Sequence, residues 1–223
     1  MVHDFINTLE IEFLRFADAS TAQWQKNYMK NKFEFYGIRA PKLKEIEKPF
    51  LQKDFLPPKT DIENLAKSLW NKPQREYQYF GIHLLYKYRK QIEFDDIKLF
   101  EHLIVNKSWW DSVDGIGPKL VGDYFLKFPE QRDVYTEKWL NSDHIWLKRS
   151  CLICQLFYKE QLDTEFLTYV IKHLLGSKEF FINKAIGWIL RQYSRTNPQW
   201  VEQYSKSTVL HPLSKREALR LIK

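Results

Sequence analysis

A chain of 223 residues, 16% of them aromatic, carries enough apolar mass for one sizeable core or a repeat array, and its seven glycines, nine prolines and scarce β-branched runs favour helices over strands. Lys and Arg outnumber Asp and Glu by 35 to 28, with an isoelectric point near 9.2, which suits an anionic partner: nucleic acid first, an acidic membrane surface second. No stretch approaches the ~20 apolar residues of a membrane span, and Met1-Val2-His3-Asp4-Phe5 lacks the basic-then-apolar pattern of a secretory signal, so a cytoplasmic protein is expected.

In chain order, helix signals recur with short breaks and no segment alternates with period two. Ser20-Thr21-Ala22-Gln23 has the spacing of a capping box. Pro57-Pro58 marks a break, and Thr60-Asp61-Ile62-Glu63 repeats the box after it. Ile97, Phe100, Leu103 and Ile104 form one helical face that Asp95 could cap. Pro118, after Gly115 and Gly117, should interrupt or kink the helix there, and the small residues could admit a neighbouring backbone. Cys151 and Cys154 form a lone C-x-x-C; with no second ligand pair and no βαβ context, core packing is the expected use. Phe166, Leu167, Val170, Ile171, Leu174 and Leu175 make a buried helical stripe that Gly176 can stop. Asn197-Pro198 is a further break, and Ser214-Lys215-Arg216-Glu217 is a third capping box. The six histidines are scattered without an H-x-x-x-H pair, so no metal site is expected.

The segments 73–86, 146–158 and 180–193 resemble one another: each runs through a mostly apolar helix and closes on Tyr. With Tyr124 added, the closing tyrosines stand at 86, 124, 158 and 193, a loose period in the thirties that suits helical hairpin repeats. About six such units would fill the chain. A second ruler places Trp110, Arg149 and Trp188 at intervals of 39. The two rulers differ in register, so strict equivalence does not follow, but stacked repeats present corresponding helices side by side. Three unrelated residues remain the alternative.

At the centre lies Lys107-Ser108-Trp109-Trp110-Asp111-Ser112-Val113-Asp114. On a helix, Trp110 and Asp114 project from one face a turn apart, setting a π-surface beside a carboxylate, a pairing suited to a cationic ligand. The alternative is two core tryptophans and two solvated acids.

Three motifs, in order and at matching intervals, resemble a known family: Asn27-Tyr28-Met29-Lys30-Asn31-Lys32-Phe33 with Phe35-Tyr36-Gly37-Ile38-Arg39; then Ser108–Asp114; then Lys178-Glu179-Phe180-Phe181-Ile182-Asn183-Lys184-Ala185-Ile186-Gly187-Trp188. The family is the DNA alkylation repair glycosylases built from HEAT-like repeats, and the resemblance spans nearly the whole chain. It implies an all-α solenoid of about six helical hairpins, a single domain over 1–223, whose concave basic groove holds duplex DNA containing alkylated purines. It also implies hydrolysis of the N-glycosidic bond of N3- or N7-alkylated purines, such as 3-methyladenine and 7-methylguanine, without the deep base-swallowing pocket of most glycosylases. Carried over by residue, the lesion-facing tryptophans are Trp110 and Trp188, the catalytic acid is Asp114 and the backbone-contacting arginine is Arg149. Trp109 then packs inward, and Asp111 caps or is solvated. Arg39 stands where the family's motif has an uncharged polar residue.

The residues suit that chemistry. An alkylated purine is already cationic and leaves without protonation, so the task is to stabilise the oxocarbenium character of the sugar, which Asp114 can do through space while orienting water. Trp110 and Trp188 offer their negative faces to the cationic base, about 0.5–2 kcal/mol per contact. Arg149, Lys148, Lys184 and Arg191 are candidates to hold phosphates, with solvated cations as the alternative for the last three; Tyr28 is a further DNA-contact candidate, with core packing as its alternative. No metal or organic cofactor is expected, and a monomer is expected. Two other readings share the fold: a non-catalytic DNA-binding paralogue, and an α-solenoid scaffold for protein partners.

Overall fold

A computed structural model describes residues 2–222. Among these residues there is no strand, only an isolated parallel bridge between Glu34 and Gln74. The chain is all-α, as its composition predicts, and forms two compact units, one running through Ile92 and one from Glu93.

The first unit contains α1 (Val2–Arg15), α2 (Ala19–Tyr28), α3 (Ala40–Phe50), α4 (Lys59–Asn71) and α5 (Arg75–Lys87). α4 buries Ile62, Leu65, Ala66, Leu69 and Trp70, the i, i+3, i+4, i+7, i+8 stripe of an amphipathic helix, and packs on α1 and α5. Glu76, in the first turn of α5, is fully buried and accepts the backbone N–H groups of Tyr36, Gly37 and Ile38 at 3.1, 3.0 and 3.2 Å. Burial pushes its carboxyl above the usual range against the pull of those donors. Gly37 has φ +89°, and a Cβ there would lie 2.0 Å from the Asp18 carbonyl oxygen, so only glycine fits this turn. Phe35–Ile38 of the amino-terminal motif therefore ties α2 to α5.

The second unit contains α6 (Asp96–Val105), α7 (Trp110–Ile116), α8 (Gly122–Lys127), α9 (Pro129–Leu140), α10 (Ile145–Ile153), α11 (Thr164–Leu174), α12 (Phe180–Tyr193), α13 (Pro198–Ser207) and α14 (Pro212–Ala218). α10 is its hub: it packs on α6, α7, α9, α11 and α12, and seven of its nine residues are buried. Cys151 and Cys154 are fully buried free thiols on this hub, consistent with core packing. Between α7 and α8 the chain does not break at Pro118. Residues Gly117–Val121 form a π-helical turn, and the missing proline donor falls within that widened turn. A Cβ on Gly122 would come within 2.5 Å of the Cys154 carbonyl oxygen, so glycine lets the end of α10 approach the backbone.

The breaks at Pro57-Pro58 and Asn197-Pro198 and the stop at Gly176 (φ +79°) fall as expected; the helix caps do not. α2 is capped by Asp18, which accepts from the Thr21 N–H at 2.7 Å, with Ser20 already inside the helix. α4 starts after Pro58 without a side-chain cap, α14 is capped by His211, and Asp95 precedes α6 without a capping bond. The four-residue pattern is local, whereas the start is set where the backbone is turned by other contacts: Asp18 N–H donates to Tyr36 O at 2.9 Å, and Pro212 fixes the first residue of α14.

Two of the four spaced tyrosines share one role. Tyr124 Oη donates to Phe94 O at 2.8 Å and Tyr158 Oη to Gly122 O at 2.6 Å, each tying a helix end to backbone 30 and 36 residues upstream. In the first unit Tyr88, not Tyr86, makes the equivalent bond, to Pro57 O, while Tyr86 lies at the surface beneath Arg89. Tyr193 packs edge-on against Trp200 instead.

Candidate active site

The central motif begins with a tight backbone reversal. α6 ends at Val105, Lys107 adopts φ +48°, and the Ser108 hydroxyl donates to Ile104 O at 2.6 Å. Trp109 is extended and packs edge-on against Trp146 and Phe181, with ring centroids 5.6 and 5.1 Å away; Trp146 and Phe181 are themselves 5.0 Å apart. This aromatic cluster turns Trp109 inward and starts α7 at Trp110. Trp110 and Asp114 are therefore one turn apart on α7, both half-buried. Asp111 lies in the first turn, where a negative charge suits the helix dipole.

A charged residue on a helix as buried as α10 must find a partner, because an unpaired buried charge costs several kcal/mol. Arg149 does. Its Nε and Nη2 donate to Asp114 Oδ1 and Oδ2, both at 2.8 Å, and its Nη1 donates to Phe181 O at 2.6 Å. The Arg149 side chain is 3% exposed and that of Asp114 19%, so a mostly buried carboxylate that keeps some contact with solvent pairs with a buried guanidinium. The guanidinium also lies 5.9 Å from the Trp188 ring centroid, joining α7, α10 and α12 in one cluster. Burial raises the Asp114 pKa; the hydrogen bonds and charge of Arg149 oppose the rise, and the charge of Asp111 adds to it. The guanidinium carries donors and no acceptor, so the ionised carboxylate is the form it pairs with. Two of the roughly four lone-pair sites on that carboxylate are used, which leaves acceptor capacity for water.

On α12, Phe181, Lys184, Trp188 and Arg191 form a half-exposed stripe at intervals of three, four and three. Both of its cations, candidate phosphate contacts, share a carboxylate in this structure: Lys184 Nζ pairs with Glu217 Oε1 at 2.8 Å, and Arg191 pairs with the other oxygen of the same carboxylate. Lys184 and Arg191 hold the Glu217 carboxyl below its usual range, the Lys184 hydrogen bond contributing most. Lys148, half-exposed on α10, has no carboxylate within ion-pair distance among the described residues. Tyr28 belongs to the first unit; at 57% exposed it is not a core residue, and it stacks on Trp24.

Sequence reasoning missed Trp146 and the Phe181 carbonyl as supports of the cluster, and Glu217 as the anchor of two cations. Phe181 lies inside the late motif, but its bond to Arg149 is made by the backbone carbonyl, which leaves no side-chain signature. Among the described residues no group of three or more His, Cys, Asp or Glu is placed to hold a metal.

A family model described as DNA alkylation repair enzyme matches residues 9–222. A search of curated proteins finds no match. Among solved structures, a predicted DNA alkylation repair enzyme from Enterococcus faecalis superposes with a TM-score of 0.85 at 34% identity, covering 92% of this chain and 96% of that one. With the match running through α7, α10 and α12, the chain belongs to the DNA alkylation repair enzyme family.

Proposed function

We propose that this protein is a monofunctional alkylpurine DNA glycosylase, one HEAT-like repeat domain that acts in base excision repair on N3- and N7-alkylated purines in duplex DNA. The observation that carries the reading is the Asp114–Arg149–Trp188 cluster: a partly exposed carboxylate, oriented by a buried bidentate arginine, beside a half-exposed indole. Asp114 stabilises positive charge developing on the deoxyribose and orients the attacking water. Trp188 and Trp110 select the cationic base by its charge rather than its hydrogen-bonding edge. Arg149 is a positioning residue: it fixes the carboxylate, and Phe181 O fixes the guanidinium. Lys148 and Tyr28 are proposed contacts to the duplex, and the leaving group needs neither a general acid nor a metal.

The test is to incubate the protein with methylated duplex DNA and identify free base by chromatography. The wild type should release 7-methylguanine and 3-methyladenine. Asp114→Asn should slow release by roughly 10²–10³-fold with duplex affinity largely kept. Wild-type rate in that variant would place the acid elsewhere. Because both Asp114 oxygens are engaged by Arg149, a non-catalytic DNA-binding role is the second reading; duplex binding with no released base from the wild type would select it.

A further inference from the structure

α2 buries none of its residues, which is unusual for a helix carrying a tryptophan. Trp24 is 65% exposed and Tyr28 57%; the two rings stand at i and i+4 with centroids 5.6 Å apart and planes within 8° of parallel. They wall an apolar cleft of about 320 Å³ in the first unit, completed by Met29, Phe35, Leu43 and Tyr79, with Arg39 at its edge. That volume is at the small end of ligand sites, which run to about 300–1,000 Å³. It admits one planar group and not a helix.

The surrounding chain is strongly basic. Residues 24–44 contain Lys26, Lys30, Lys32, Arg39, Lys42 and Lys44 against the single acid Glu34. Lys26 pairs with Glu34 and Lys42 with Glu45, but no carboxylate among the described residues is within ion-pair distance of Lys30, Arg39 or Lys44. Arg39 is itself a lining residue, its charge also acting on Asp18, and Lys30 and Lys44 are the sequence neighbours of the lining residues Met29 and Leu43. A pair of parallel, exposed rings over an apolar slot, in a strongly basic segment, suits a planar heterocycle on an anionic strand. An acyl chain has no flat π-face to match the parallel pair.

We propose that this cleft binds a single unpaired base of a nucleic-acid strand, stacked against Trp24, with the adjoining phosphates on Lys30, Arg39 and Lys44. The site rests on nucleic acid as the partner but not on the chemistry at Asp114. The probe is 2-aminopurine placed as a one-base bulge in a duplex, compared with the same duplex fully paired. The wild type should quench the bulged fluorophore and prefer the bulged duplex. Trp24→Leu, its fold checked by far-UV circular dichroism, should abolish the quench and lower the bulged-to-paired affinity ratio about tenfold. Equal affinity of the wild type for both duplexes, or a quench unchanged in Trp24→Leu, overturns the cleft while leaving the DNA reading intact. No binding to either duplex overturns the DNA reading and the cleft with it. Phosphatidylglycerol vesicles that bind the wild type and not Trp24→Leu, while oligonucleotide binding is unchanged, would reassign the cleft to a membrane surface.

Discussion

At Asp114 two opposing effects meet. Burial favours the neutral acid, while the Arg149 fork and its charge favour the carboxylate; the balance lies above the ordinary aspartate value of 3.8. If the carboxylate is the working form, base release must fall as pH drops through that raised value, so the acidic limb lies above 3.8. Arg149→Gln removes the charge and the two-pronged donor that oppose the rise and should move the limb to higher pH, and by breaking a buried pair it should also cost about 3–5 kcal/mol of stability. Single-turnover release of 7-methylguanine against pH, with a urea melt of the same variant, checks both; an unmoved limb would mean that Arg149 does not hold Asp114 ionised. The Trp110–Asp114 pairing is legible in the sequence because an i, i+4 relation is intrinsic to a helix. The role of Arg149 is not, because the spacing of 39 that singles it out is silent on burial, and its depth is set by the five helices packed around α10.

Helices are the elements the sequence specifies best, since the stripes on α4 and α11 can be read from apolar spacing alone. Their starts and their mutual approach depend on residues far away in the chain. Ser214 and Glu217 form a capping-box pattern, yet Ser214 Oγ donates to Asn183 O at 2.7 Å and Glu217 pairs with two cations of α12. Those contacts exist because α14 lies very close to α12 at Gly187, where an added Cβ would be 2.5 Å from Glu217 Cβ and 2.9 Å from Ser214 O. Neither atom is the end of a flexible side chain, so rotation cannot relieve the clash and α14 would have to shift. Gly187→Ala should therefore destabilise by about 1–3 kcal/mol, lowering the melting temperature by roughly 2–4 °C per kcal/mol in a chain of this size. Thermal melts followed by circular dichroism measure it; an unchanged melting temperature would show that α14 moves freely.

For the whole molecule the formal charge of +7 is open to anyone counting residues, but it does not say which cations are available to a phosphate. Lys184 and Arg191 are 33 and 26 residues from Glu217, and only the fold reveals that they share its carboxylate. A cation already neutralised in the free protein displaces fewer counterions from DNA unless its pair opens on binding, and each phosphate contact contributes about 0.9 to the slope of log K against log salt concentration. Lys148 has no such internal partner among the described residues. Lys148→Ala should reduce the magnitude of that slope by about 1. Lys184→Ala should change it by less and instead lower the melting temperature, because Glu217 then loses one of its two ion pairs. Fluorescence anisotropy with a labelled duplex between about 50 and 200 mM salt separates the two classes. Equal slope changes in both variants would mean that the Glu217 pairs give way to phosphate when DNA binds, and that α14 holds the α12 cations in reserve rather than withdrawing them from the interface.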